Sequence, residues 1–167
     1  LKTALEVNAS TVIAENVPNL LRLGNGNVFR EVLRQFKLHG YRYCSWATLD
    51  ARQFGLPHNR KRVFIIASSS KEHCFSLFRD LPRYDSPEKH NEAAGFYWTA
   101  GTQSIVYSEG FVPTIKVGSS LSIPSPPAVH YGNVVRQLTP EETLKLQGFE
   151  PDHLEGLKPN AKYRMAG

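Results

Sequence analysis

The sequence predicts an α/β fold to which a loop-rich subdomain is attached. A β-branched run at 10–14, a helical stripe at 28–38 and an apolar run at 62–67 follow one another along the chain. Such alternation is typical of one edge of an α/β sheet. From residue 70 to about 134 the composition is different, since aromatic residues are scattered among Gly, Ser and Pro with little periodicity. A separate, irregular subdomain is therefore expected there.

The first strand is predicted at 10–14 as a buried strand that ends in Glu15, Asn16 and Pro18. In open α/β sheets ligands bind at the carboxyl edge of the strands, so the carboxyl group of Glu15 can reach into a cleft. Taken alone, a glutamate at a strand end is more often a capping or solvated group. Both interpretations stay open on this pattern.

A helix is predicted at 28–38 because its apolar residues recur at helical spacing; these are Val28, Val32, Leu33 and Phe36. Asn25 or Asn27 can cap its start, and Gly40 can stop it. The next strand is expected at 41–49.

The following strand is expected at 62–67, where a continuous Val-Phe-Ile-Ile run indicates a strand covered on both faces. Arg60 and Arg62 alternate as this strand begins, which predicts that they point to the same side. An exposed basic strand start is the plainer interpretation of the same two residues.

A second helix is predicted to begin after Thr139. Thr139 can act as the N-cap, Pro140 occupies the first helical position, and Glu142 lies three residues after the cap, as a capping box requires. The helix is expected to continue to about Gln147 and to stop at Gly148.

The composition permits a polyanionic partner without requiring one. The net charge is +5, and residues 51–90 hold eight Lys or Arg against four Asp or Glu; a modest surplus is usually a solvated surface, but it also suits nucleic acid. No apolar run approaches the roughly 20 residues of a membrane helix. Cys44 and Cys74 lack the spacing of zinc ligands, so we expect reduced, buried thiols, no metal site and a cytoplasmic protein.

Five segments carry recognisable sequences in a fixed order. Residues 15–17 read Glu-Asn-Val, 25–29 place Asn-Gly before Val-Phe, and 60–62 read Arg-Lys-Arg. Residues 136–149 contain Arg-Gln-Leu-Thr-Pro-Glu-Glu and then Leu-Gln-Gly-Phe, and 163–167 read Tyr-Arg-Met-Ala-Gly. In this order they resemble the ENV motif, the loop after it, the QxRxR motif, the RxLTPxE...LQGF motif and the start of the last motif of DNA (cytosine-5)-methyltransferases.

The resemblance implies a reaction and a role for each residue. Such enzymes flip a cytosine out of the duplex, add a Cys thiolate to C6, and transfer a methyl group from S-adenosyl-L-methionine to C5. Glu15 would contact N3 of the base and Arg62 its O2, whereas Arg60 would hold a phosphate or orient the site; all three are expected to be catalytic. Further residues are expected to bind the substrate or the DNA: Asn16, Lys61 and Arg136.

Departures from the family pattern limit what the chain is expected to do alone. His58 stands where the family usually has Gln, and Glu150 interrupts the usual Gly-Phe-Pro order. The sequence contains neither an FxGxG loop for the cofactor nor a Pro-Cys pair for the nucleophile, and neither Cys44 nor Cys74 is expected to replace that nucleophile. The cofactor pocket is therefore expected to lie mostly outside this chain, with its residues unknown, and the chain alone is expected to be inactive.

The resemblance also implies an organisation in three segments. Residues 1–69 would be the C-terminal half of a Rossmann-like catalytic α/β domain, 70–134 a small, irregular and mainly β target-recognition region, and 135–167 a helix-containing segment that returns toward the catalytic domain. An irregular structural insert is the plainer interpretation of 70–134. Because half of a parallel sheet would be absent, we expect an exposed apolar strand edge.

The expected protein is a subunit or a fragment of a bacterial or phage enzyme. Its chain opens at Leu1 rather than Met, which suggests a cut end. Its expected partners are double-stranded DNA and a second chain or segment that carries the FxGxG and Pro-Cys motifs. A non-catalytic DNA-binding module of the same family is the alternative, and an RNA-modifying relative is a third possibility.

Overall fold

The structure, a computed structural model, describes residues 2–81, 93–97, 106–115 and 127–166. The chain divides into two compact units: the first comprises Leu1–Asp50 and Lys61–Arg83, and the second comprises Ala51–Arg60 and Tyr84–Gly167. The predicted division at 69 and 134 stays a prediction about function, because the compact units have different bounds. None of the helices in the described residues has the length and apolar character needed to cross a membrane.

The described elements of the first unit are α1 (Lys2–Glu6), β1 (Thr11–Asn16), a 3-10 turn (Pro18–Leu21), α2 (Asn27–Leu38), β2 (Tyr43–Asp50), β3 (Lys61–Ser68) and α3 (Lys71–Ser76). The described elements of the second unit are a 3-10 turn (Ala51–Phe54), β4 (Ala93–Tyr97), β5 (Tyr107–Glu109), β6 (Pro127–Tyr131), β7 (Val134–Gln137), α4 (Pro140–Leu146) and α5 (Pro159–Ala166). The predicted α/β fold with a mainly β second part is confirmed.

The first unit is built on a three-stranded sheet with the order β1-β3-β2, in which β3 is antiparallel to both neighbours. The predicted cover on both faces is confirmed for the later part of β3, where Ile65, Ile66 and Ala67 are nearly inaccessible, whereas Arg62 and Phe64 are partly exposed. The parallel pairing expected for this sheet does not occur between its described strands. Only residues 51–60 separate β2 from β3, and so short a connection favours an antiparallel neighbour.

Helix α2 packs on one face of this sheet. Phe29 and Phe36 of α2 join Val63, Ile65 and Ala67 of β3 in one apolar cluster. The predicted asparagine cap of α2 is wrong: Gly26 is the N-cap residue, with φ of 80° and no side-chain cap. Its left-handed conformation suits glycine, which has no Cβ to clash there.

Helix α3 covers part of the opposite face. Ser70 caps its start, and the buried Cys74 packs against Ile66 of the central strand. Both cysteines are free, as predicted. Cys44 is half-buried against the α2 cluster, and burial raises the pKa of its thiol, which makes it a poor nucleophile.

The second unit contains a four-stranded antiparallel sheet with the order β5-β4-β6-β7. Three of these strands fall inside the segment 70–134, which also contains α3, so the described residues of this segment are mainly but not wholly β. The remainder of the prediction, at 82–92, 98–105 and 116–126, lies outside the described residues. The edge strand β7 leads directly into α4.

Helix α4 has the predicted capping box. The Thr139 hydroxyl accepts from the Glu142 N–H, and the Glu142 carboxylate accepts from the Thr139 N–H. Pro140 is the first helical residue, and Gly148 follows the end of the helix with φ of 84°. Helix α5 returns to this region, because the Tyr163 hydroxyl donates to the Leu138 carbonyl at 2.8 Å.

Candidate active site

Glu15 and Arg62 lie in contact in the first unit, with 2.7 Å between Arg62 Nε and Glu15 Oε1. Glu15 is opposite Phe64 in the register of β1 and β3, and Arg62 is two residues from Phe64 along β3. Because successive side chains alternate between faces of a strand, all three project from the same face. This face is opposite to the one covered by α2, since Val63 and Ile65 contribute to the α2 cluster.

The two side chains differ in exposure. The Arg62 side chain is 18% exposed and the Glu15 side chain is 46% exposed. Arg62 Nη1 also donates to the Lys61 carbonyl at 2.8 Å. Within the described residues, the second carboxylate oxygen of Glu15 has no partner. The pair therefore keeps an acceptor on Glu15, and Arg62 keeps further N–H donors.

A carboxyl group beside a guanidinium can recognise the edge of a planar heterocycle. The guanidinium donates to a carbonyl oxygen, and the carboxyl group engages a neighbouring ring nitrogen. Access from solvent is open on this face, because Ile13, which shares it with Glu15, is 61% exposed. The arrangement can thus bind a nucleobase edge and stabilise charge that develops on it.

Asn16, the last residue of β1, uses its side chain locally. Its Oδ1 accepts from the Val17 N–H at 2.8 Å, and Val17 is extended immediately before the 3-10 turn that starts at Pro18. This contact fixes the chain directly after Glu15. The expected contact of Asn16 with DNA stays a prediction, with its amide NH₂ group as the remaining donor.

Arg60 and Lys61 stand at the start of β3. The strand begins at Lys61, one residue after Arg60, so the expectation that Arg60 and Arg62 point to the same side stays a prediction. The Arg60 backbone belongs to the second unit: its N–H donates to the His58 carbonyl at 2.9 Å, and its carbonyl accepts from the Ala51 N–H at 3.0 Å. Lys61 is exposed and suits a phosphate contact, which stays a prediction, as does the role of Arg60.

Arg136 is bound to Glu142 by a bidentate ion pair in the second unit. Nη2 lies 2.7 Å from Glu142 Oε1, and Nη1 lies 2.8 Å from Oε2. These hydrogen bonds lower the pKa of Glu142 below its ordinary value and raise that of Arg136. The expected contact of Arg136 with DNA stays a prediction, and the structure joins β7 to α4 through this side chain.

Two residues that sequence reasoning missed lie in the second unit. His58 is 1% exposed, and its Nε2 accepts from the Ile115 N–H at 2.8 Å. Gly95 in β4 has no room for a Cβ, which would lie 2.6 Å from the Val112 Cα. A glycine inside a strand marks close backbone approach, so Gly95 could have been found; His58 was noted only as a departure from a motif.

Comparison with known proteins places these residues in a family context. The family model described as C-5 cytosine-specific DNA methylase matches residues 2–116, which include Glu15, Arg60 and Arg62. The solved structure of the Entamoeba histolytica methyltransferase EhMeth is similar in fold, with a TM-score of 0.50 and 15% identity, over 95% of this chain and 57% of that one.

Curated relatives are bacterial type II methyltransferases. The chain is 35% identical to M2.BsuMI of Bacillus subtilis over 93% of its own length and 44% of that relative. It is 24% identical to M.Bsp6I of Bacillus sp. over its whole length and 63% of that relative. The chain thus spans about half the length of the curated relatives that it matches.

Proposed function

The chain belongs to the C-5 cytosine-specific DNA methylase family, and on that premise we propose that it holds the flipped cytosine and reads the target in a DNA (cytosine-5)-methyltransferase. Methyl transfer would require a further polypeptide segment that carries the FxGxG and Pro-Cys motifs. The observation that carries this proposal is the Glu15–Arg62 contact at 2.7 Å on an open face.

The proposed role of the pair follows from the charge that develops during the reaction. Addition of a thiolate to C6 of cytosine moves negative charge toward N3 and O2 of the ring. Donors that are already oriented toward those atoms stabilise this charge without reorganising, which is commonly the largest single contribution of such a site. Glu15 would donate a carboxyl proton to N3, since only the protonated carboxyl group is a donor, and Arg62 would donate an N–H group to O2.

A guanidinium suits the O2 position for two reasons. It stays charged when water is excluded, and its planar fork fixes the direction of its N–H groups. The backbone contact from Arg62 Nη1 to the Lys61 carbonyl supports a preset orientation. Lys61 is proposed to contact a phosphate group, Arg60 to hold a phosphate or to orient the site, and Asn16 to contact the substrate.

S-adenosyl-L-methionine would supply the methyl group in this reaction. The chain has no FxGxG loop. In its described parts every buried side-chain nitrogen or oxygen already has a hydrogen-bond partner, so none of these atoms is left for a bound ligand to satisfy. The residues present therefore do not fit a cofactor pocket, and we assign none of them to it.

The second unit is proposed to read the DNA sequence. Its four-stranded antiparallel sheet provides a surface of the kind that can approach base edges in the major groove. The bidentate pair with Glu142 favours a structural role for Arg136 over the direct base contact expected from the motif.

Reconstitution tests the proposed function. The chain would be mixed with a polypeptide that bears an FxGxG loop and a Pro-Cys motif, and transfer of a labelled methyl group to duplex DNA would be measured. We expect transfer from the mixture and none from either component. DNA binding by the mixture without any methyl transfer would contradict the proposal and favour a non-catalytic DNA-binding module.

A further inference from the structure

Two segments of the second unit, 57–60 and 111–115, are joined by a compact set of hydrogen bonds. The Asn59 N–H donates to the Val112 carbonyl, and the Val112 N–H donates to the Pro57 carbonyl, each at 2.9 Å. The Thr114 hydroxyl donates to the Asn59 carbonyl at 2.6 Å, and the Ile115 N–H donates to His58 Nε2 at 2.8 Å. We call this set the His58 joint.

Strand β4 lies against the backbone of residues 111–112, which belong to the His58 joint. A Cβ on Gly95 would lie 2.6 Å from the Val112 Cα, so only glycine lets the backbone of 111–112 cross this strand. The Arg52 guanidinium also lies 4.9 Å from the centre of the Phe111 ring, at a distance typical of a cation–π contact. The segment 111–115 is thus held between the four-stranded sheet and the residues that lead to Arg60.

The imidazole of His58 can make its contact only in one form. A backbone N–H is an obligatory donor, so the Nε2 atom that faces the Ile115 N–H must carry a lone pair and no proton. The ring is 1% exposed. His58 therefore acts as a neutral hydrogen-bond acceptor inside the second unit.

A backbone hydrogen bond connects His58 to Arg60. The His58 carbonyl accepts from the Arg60 N–H at 2.9 Å, so the ring and the backbone of one residue hold Ile115 and Arg60 respectively. The Arg60 carbonyl is engaged as well, by the Ala51 N–H. A change in the His58 ring would be transmitted to the backbone of Arg60 through one residue.

We propose that His58 is a positioning residue for methyl transfer, which fastens the Arg60 segment to the small β-sheet through a neutral ring acceptor. The inference rests on the proposed function, because it assigns Arg60 to the DNA complex. His58 is not a catalytic residue in this proposal, since its ring contacts a backbone N–H. The property required at this position is an acceptor, so a Gln side-chain carbonyl can replace the ring.

The first test uses this chain alone. Nitrogen NMR of His58 should show Nε2 unprotonated, and His58→Leu should accelerate exchange of the Ile115 amide by about 10-fold to 100-fold, the effect of losing one buried hydrogen bond. His58→Gln should restore most of the protection. His39→Leu, at an exposed position after α2, is the matched control and should leave Ile115 unchanged. A protonated Nε2, or equal exchange in the Leu and Gln variants, would overturn the proposal.

The second test uses the reconstituted enzyme. His58→Leu should lower kcat by up to about 100-fold, because small displacements of positioned groups can cost that much, with a smaller change in KM for DNA. His58→Gln should rescue kcat. If His58→Leu fails to fold, Thr114→Val removes one hydroxyl from the same joint, and it should lower kcat several-fold.

The outcomes separate the two claims. Absence of methyl transfer from the wild-type mixture would overturn the proposed function and the positioning role with it. Normal transfer by the wild-type mixture together with unchanged kcat in His58→Leu, or in Thr114→Val where that variant is used, would overturn the positioning role alone. Loss of kcat in both His58→Leu and His58→Gln would also overturn it, since the acceptor would then not be what matters.

Discussion

The Glu15–Arg62 pair in the first unit and the Arg136–Glu142 pair in the second have the same chemical groups and the same shortest distance, 2.7 Å. They differ in how much of each carboxylate is used. Both oxygens of Glu142 accept from Arg136, and one of them also accepts from the Thr139 N–H. Only one oxygen of Glu15 has a partner within the described residues.

This difference distinguishes a structural ion pair from a candidate binding site. The Arg136–Glu142 pair is bidentate and spans only six residues along the chain, so it joins a strand to the helix that follows. The Glu15–Arg62 pair depends on the pairing of β1 with β3 and retains polar atoms that a ligand can engage. An ion pair whose donors and acceptors are all engaged within the protein has few polar atoms left to bind a substrate. An ion pair with unused donors and acceptors on an accessible face can bind a base.

The largest effect is expected from Glu15→Gln. In the reconstituted enzyme it should lower turnover by about 100-fold to 1000-fold, the usual cost of removing one group that stabilises transition-state charge, while DNA affinity changes little. Glu31→Gln is the matched control, since Glu31 is also paired with an arginine at 2.7 Å but lies on the surface of α2. Single-turnover methyl transfer measures both, and unchanged turnover in Glu15→Gln would remove Glu15 from the mechanism.

The opposite behaviour is expected from Glu142→Ala. The variant loses the arginine contact and half of the capping box, so its free energy of unfolding should fall by about 1 kcal/mol, the typical cost of losing a helix cap. Urea unfolding of the chain measures this. Turnover of the folded variant should stay close to that of the wild type. A loss of turnover as large as that of Glu15→Gln would show that the two pairs do not differ as described.

The two regions should also differ in their response to salt. Lys61→Ala should reduce the slope of log affinity for duplex DNA against log salt by about 1, because one phosphate contact is lost. Arg136→Ala should leave the slope nearly unchanged, since its charge is neutralised by Glu142. Lys2→Ala, on α1, is the control. Equal slopes for wild type and Lys61→Ala would argue against a DNA contact at the start of β3.

The smallest effect is expected from a fall in pH, which should reduce the free energy of unfolding. Hydrogen bonds from Arg136 lower the pKa of Glu142 in the folded chain, so the unfolded chain binds the proton more tightly. The stabilisation is complete above the unfolded pKa of about 4.3 and is lost as the pH falls through the lower folded value. Unfolding free energies should therefore decline more steeply below about pH 4 in the wild type than in Glu142→Gln. Parallel declines would contradict the assigned cause.

Local patterns predicted several elements because the residues that determine them are neighbours in sequence. The capping box at Thr139 and Glu142 needs only three residues of spacing, and the burial of β3 follows from one apolar run. The polar end of β1 and the arginines at the start of β3 also indicated two of the candidate site residues, Glu15 and Arg62. Their contact follows only from the antiparallel register that pairs Glu15 with Phe64.

Other features depend on tertiary contacts that no local pattern encodes. The antiparallel direction of β3 depends on its sheet neighbours, and the choice of Gly26 over Asn25 as the cap depends on backbone geometry at the turn. In the sequence His58 is only a departure from a motif. Its role follows from a tertiary contact, in which its ring accepts from the Ile115 N–H, far away in the sequence. The ion pair between Arg136 and Glu142 likewise depends on the folded arrangement of β7 and α4.

A double-mutant cycle on Glu15 and Arg62 tests the central claim most directly. Glu15→Gln, Arg62→Gln and the double variant would be compared in single-turnover methyl transfer by the reconstituted enzyme. If the two groups act together on one extruded cytosine, the double variant should be little slower than the slower single variant. Rate losses that simply multiply, or no loss in either single variant, would contradict the account.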